Sequence, residues 1–92
     1  PLLYYRYQME KGAEKREIKI GGVYKHFKGN HYRVLTLGLD SETLEEKVVY
    51  TALHYNPKKE TRVWIRGLEE FLGTKTLEDN TTVERFKLIS DN

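Results

Sequence analysis

Apolar and polar residues alternate with a period of two through most of this 92-residue chain, the spacing of half-buried strands. The opening PLLYYRYQM sets Leu3, Tyr5, Tyr7 and Met9 against Leu2, Tyr4, Arg6 and Gln8, and aromatic-rich alternation predicts a strand. The charged EKGAEKRE that follows reads as a loop or short helical turn, and residues 18–20 as a brief strand before Gly21 and Gly22 punctuate the chain. Residues 23–27 and 31–39 are predicted to form a hairpin about Lys28-Gly29-Asn30, where Gly or Asn supplies the positive φ of a tight turn. Strands at 47–55 and 61–66 follow, divided by Asn56-Pro57-Lys58-Lys59, because proline cannot donate to a sheet ladder. In GLEEFLG, residues 67–73, the alternation breaks: Leu68 and Leu72 stand four apart and Phe71 three from Leu68, which is one helical turn bracketed by glycines. Residues 74–77 and 83–89 complete the pattern as two closing strands.

This pattern predicts a mainly β fold: a small, strongly bent antiparallel sheet or a partly open SH3-like barrel with one short helical turn. A chain of this length has room for one core. Residues 1–21 read as an N-terminal extension that adds a strand, and 22–92 as a single small β domain.

Composition narrows the chemistry. There is no cysteine, which excludes disulfides, thiolate nucleophiles and cysteine zinc sites. Histidines 26, 31 and 54 with Glu42, Glu45 and Glu46 lack any HExxH-type spacing, and no glycine-rich run precedes a helix as a phosphate loop or dinucleotide fingerprint requires. No metal and no cofactor is therefore expected. No apolar run approaches the roughly 20 residues of a membrane span and no signal core follows the start, so no membrane partner is expected and a cytoplasmic location is. Net charge is only +2, but residues 1–38 hold eight Lys/Arg against three Glu, and 39–92 hold eight against eleven. That asymmetry is compatible with an anionic partner, although folding also mixes the two halves.

Candidate site residues come from the faces that alternation assigns. In 61–66, Val63 and Ile65 point one way and Arg62, Trp64 and Arg66 the other. With the aliphatic pair inward, an indole flanked by two guanidinium groups faces out, suited to stack on a base while pairing with phosphate. The plain alternative makes Trp64 core, with the arginines reaching outward along it. Tyr24, His26 and Lys28 share one parity, and a three-residue turn sets Tyr32 and Val34 opposite them. His26 reads as an anion-binding donor or proton carrier, or simply as a cross-sheet hydrogen-bonding group. Ser41, Glu42 and Thr43 lie in an acceptor-rich turn that either caps its own backbone or helps orient Arg66 or a ligand. A triad drawn from Ser41, His26 and a carboxylate lacks a nucleophile elbow.

The segments YKHFKGNHYRVL, SETLEEKVVYTAL, VWIRGLEEF and ERFKLI, in that order, resemble the uncharacterised bacterial DUF1653 family over about residues 22–89. The matching positions are Tyr24, His26, Lys28, Gly29, Tyr32, Ser41, Glu42, Thr43, Val49, Tyr50, Trp64, Arg66, Phe71, Arg85 and Phe86. The family typically places Pro after its Trp-x-Arg, where this chain has Gly67. The resemblance implies a fold and no settled activity.

The leading expectation is a non-enzymatic binding module for an anionic ligand, a nucleic-acid strand or a nucleotide. Trp64 and Tyr24 would stack, Arg66, Arg62, Lys28 and His26 would meet phosphate, and Ser41, Glu42 and Thr43 would complete the site. The rival is a protein-interaction or homodimerisation domain that pairs through the aromatic N-terminal segment. A third reading, a small enzyme with His26 and Glu42 as acid and base, requires a pocket that joins those two side chains.

Overall fold

The computed structural model describes residues 4–8, 15–54 and 62–91. Among these described residues, nine strands and one short helix follow in the order β1 Tyr4–Gln8, β2 Lys15–Lys19, β3 Val23–His26, β4 His31–Leu39, β5 Glu46–Ala52, β6 Val63–Gly67, α1 Leu68–Phe71, β7 Thr74–Thr76, β8 Thr82–Glu84 and β9 Phe86–Ser90. The main sheet has five antiparallel strands in the order β6-β5-β4-β3-β9, and β1-β2 and β7-β8 form two-stranded sheets. The main sheet does not close: β6 and β9 stand at its two edges. The fold is mainly β, antiparallel and bent, as the alternation predicts. No helix among the described residues is long and apolar enough to cross a membrane.

The bend has identifiable causes. Register shifts between Val34 and Thr36 in β4, leaving Leu35 unmatched against β5, and again beside Val23 where β3 meets β9. One extra residue on one strand of a pair bends that strand and increases its twist. The concave face so formed is filled by Tyr24, Val34, Val48, Tyr50 and Phe86, closed by Leu68, Phe71 and Leu72 of the helical segment, and extended by Ile18 of β2. Phe71 and Phe86 stack at 4.0 Å between centroids and 5° between planes, while Tyr24 and Tyr50 meet Phe71 edge-on. The helix is short, yet its i, i+3 and i+4 apolar positions all enter this core.

Three sequence expectations change. Strand β2 begins at Lys15, inside the stretch read as a loop, because it pairs with β1 from Tyr4↔Lys19 to Gln8↔Lys15; part of that predicted loop, the start and end of the opening strand, and the Asn56-Pro57-Lys58-Lys59 break lie outside the described residues. The first hairpin turns one residue earlier than expected: His26 N–H donates to the Asn30 carbonyl at 2.8 Å and Gly29 N–H to the His26 carbonyl at 2.8 Å. Phe27, Lys28 and Gly29 therefore form a three-residue loop with Gly29 at φ +110°, the position where glycine is needed. Finally, the predicted strand at 83–89 is two strands in different sheets, separated at Arg85. The Arg85 N–H donates to the Gly73 carbonyl and its own carbonyl accepts from Phe27 N–H, both at 3.0 Å, so neither group is left to continue one ladder.

Candidate functional site

The register of β6 keeps the two parities that alternation assigned and turns the Trp64 and Arg66 side, not the aliphatic pair, toward the core. Trp64 stands opposite Tyr50 and Arg66 opposite Val48, and Tyr50 and Val48 are buried. Directly opposed residues share a face, so Trp64 and Arg66 lie on the core side of the sheet, while Val63 and Ile65 are on the other face at 53% and 67% exposure. At this edge strand the core runs out. Trp64 is consequently 44% exposed, a rim residue that is neither sealed in nor on the outer surface.

Beneath that rim is a cleft of about 180 Å³ lined by His26, Tyr32, Tyr50, Trp64, Arg66 and Phe86. Its floor is aromatic: Tyr32 meets Tyr50 and Phe86 edge-on at 5.5 and 5.8 Å, and His26 meets Phe86 at 4.9 Å. Arg66 crosses one wall, with its Nε donating to the Tyr50 hydroxyl at 3.3 Å, its Nη1 on Glu70 Oε1 at 2.7 Å and its guanidinium carbon 5.8 Å from the Phe86 ring centre. Burial works against the Arg66 charge, but the bonds to Tyr50 and Glu70 outweigh it and raise the pKa. Gly67 holds φ −56°, within the range a proline ring imposes. The turn after Arg66 thus keeps the conformation proline would fix.

His26 and Arg66 also line a second, larger cleft of about 490 Å³, together with Phe27, Lys28, Lys75, Thr76, Leu77, Glu78 and Arg85. Together the two fall within the roughly 300–1,000 Å³ typical of ligand sites. Among the described residues that line it, four cations, Lys28, Arg66, Lys75 and Arg85, face this space against one carboxylate, Glu78. The electrostatics register on His26: burial first, then the charges of Arg66, Lys28 and Arg85, hold its pKa below the ordinary 6.5. Its Nδ1 accepts the Lys28 N–H at 3.1 Å. The neutral ring therefore carries its proton on Nε2.

Of the residues singled out in the sequence, His26, Lys28, Trp64 and Arg66 come together here. The others do not. Tyr24 is 1% exposed, with its hydroxyl accepting the Lys19 N–H at 2.9 Å; it is core and cannot stack on a ligand. Arg62 is exposed just before β6, where its carbonyl accepts from Thr51 Oγ1 at 2.8 Å, and it lines neither cleft. Ser41, Glu42 and Thr43 lie in a turn capped by Asp40, whose Oδ1 accepts the Thr43 and Glu42 N–H groups at 2.9 Å each, bonds that hold its carboxyl below the usual pKa, while Thr43 Oγ1 accepts the Glu45 N–H at 3.2 Å. Arg66 is oriented by Glu70 and Tyr50 instead of Glu42, and Glu42 lines neither cleft with His26. Sequence reasoning missed Arg85, Lys75, Tyr32, Tyr50 and Phe86 as site residues; for all but Lys75 the available signal was their place in the family-like motifs.

The family profile for proteins of unknown function designated DUF1653 matches residues 22–88. The chain belongs to the DUF1653 family. A crystal structure of a DUF1653 protein from Bordetella bronchiseptica is 33% identical, superimposes with a TM-score of 0.64, and the match covers 76% of this chain and 86% of that one. No curated protein matches. The DUF1653 region runs from the end of the β2–β3 turn into β9 and thus contains every described residue that lines the two clefts.

Proposed function

We propose that this DUF1653 chain is a non-enzymatic binding module for a nucleotide unit, either free or within a single strand. The observation that carries the reading is the junction of the two clefts. His26 and Arg66 belong to both, so a ring seated beside Trp64 and the aromatic floor is continuous with a space lined by four cations. Aromatic faces accept any base and cations accept its phosphate, the combination used in sequence-tolerant nucleotide recognition. His26 supports binding over acid–base chemistry, since its Nδ1 is held by a backbone N–H and not by a carboxylate that would tune it as a base.

Trp64 is the chain's only tryptophan, so its emission reports on the rim directly. Titration with mononucleotides and short single-stranded oligonucleotides at low salt is expected to change that emission, with affinity falling as salt rises. Calorimetry on Trp64→Ala should show a loss of about 1–3 kcal/mol, the value of one base stacked on an aromatic ring. Unchanged Trp64 emission with every nucleotide and oligonucleotide would end this reading.

A further inference from the structure

Within that nucleotide-binding reading, we infer that the larger cleft is a receptor for a terminal or condensed phosphate, centred on Arg85, and not for a backbone phosphodiester. The first observation is charge density. Lys28 on the β3–β4 loop, Lys75 on β7, Arg66 on β6 and Arg85 between β8 and β9 reach one cleft from four separate parts of the chain, with Glu78 as the only carboxylate among the described residues that line it. A phosphodiester supplies one negative charge per unit, whereas a phosphomonoester carries about −1.5 to −2 at neutral pH and further acceptor oxygens. The excess of cations matches the second kind of group.

An independent observation concerns Arg85 itself. Its Nε is buried and has no hydrogen-bond partner, and no described residue forms an ion pair with it. Buried polar atoms are almost always satisfied, and an orphaned guanidinium N–H is costly. Arg66, by contrast, is held by Tyr50 and Glu70. The guanidinium lines the cleft, and its terminal Nη groups, which engage no described residue, are shaped to hold two oxygens of one phosphate, while the sealed Nε leaves its charge uncompensated by the protein. Thr76 and the Nε2–H of neutral His26 add donors that cost no further charge repulsion.

Inorganic pyrophosphate is the probe, because it tests the cleft without the ring site. Calorimetry on the full chain is expected to show saturable pyrophosphate binding, weakened at least about ten-fold in Arg85→Gln and measurably in the exposed Lys75→Gln, with thermal unfolding of Lys75→Gln unchanged. A dinucleotide with a terminal phosphate should bind more tightly than the same dinucleotide ending in hydroxyls. If pyrophosphate binds in this way while nucleotides leave Trp64 emission unchanged, the phosphate receptor stands and the ring-binding reading falls. If nucleotides change Trp64 emission but pyrophosphate does not bind, or Lys75→Gln and Arg85→Gln bind it as the parent does, or the two dinucleotides bind alike, the receptor is overturned.

Discussion

Phe86→Leu tests whether the aromatic floor holds the domain together as well as lining the cleft. Phe86 is 1% exposed; its ring stacks on Phe71 at 4.0 Å and meets His26 at 4.9 Å, Tyr50 at 5.4 Å and Tyr32 at 5.8 Å. Leucine retains most of the apolar burial, so the loss is chiefly of ring–ring contacts at about 0.5–1.5 kcal/mol per pair beyond area. Because one ring serves four neighbours these values do not add. The expected cost is about 3 kcal/mol, at the lower end of the 3–5 kcal/mol of complete truncation to alanine. For 92 residues an unfolding entropy of about 0.19 kcal/mol/K follows from the per-residue average, so Tm should fall by about 15 °C. Thermal and urea unfolding measure this, with the urea m-value unchanged because the unfolded surface is the same. A fall of less than about 5 °C with an unchanged m-value would refute the idea that the stack is a principal stabiliser.

Glu70→Gln separates positioning from competition at Arg66. The pair is largely exposed on the glutamate side, so stability should change by no more than about 0.5 kcal/mol, while pyrophosphate affinity at low salt rises several-fold as a competing carboxylate disappears. Weaker binding would mean instead that Glu70 aims the guanidinium. His26 should titrate below 6.5 by NMR, and a bound anion should raise that value. Its folded pKa being depressed, the unfolded chain binds more protons between the folded value and 6.5, so stability falls as pH drops through that window and is unaffected by this group above it. The slope should be smaller in His26→Gln than in the parent; an imidazole midpoint above 6.5 would contradict the argument.

Local periodicity made the hairpin, strands β4 to β6 and the single helical turn legible, because each signal lies within a few residues. The break at Arg85 was not legible: VERFKLI contains no Gly or Pro, and the interruption comes from main-chain bonds to Gly73 and Phe27, both distant in sequence. Which face of β6 turns inward stayed open in the sequence because both of its parities carry apolar residues; pairing with Tyr50 decides the matter. Tyr24 and Tyr32 look alike in sequence and stand opposite one another, yet Tyr24 is sealed under Phe71 while Tyr32 reaches the cleft. His26, Lys28, Trp64 and Arg66 could be picked out because aromatic and basic residues interleave there. Lys75 could not, since a lone cation on a short strand has no spacing to mark it.

The Arg85 peptide ties the Phe27 loop on one side to the residue preceding β7 on the other. The two walls of the larger trough are thereby pinned to a common main-chain anchor, so its width is a property of the peptide framework and is insensitive to which side chains decorate it. Lys28, Lys75, Thr76 and Glu78 can then be exchanged as interchangeable fittings, which gives this scaffold a route to new ligand preferences without rebuilding its interior.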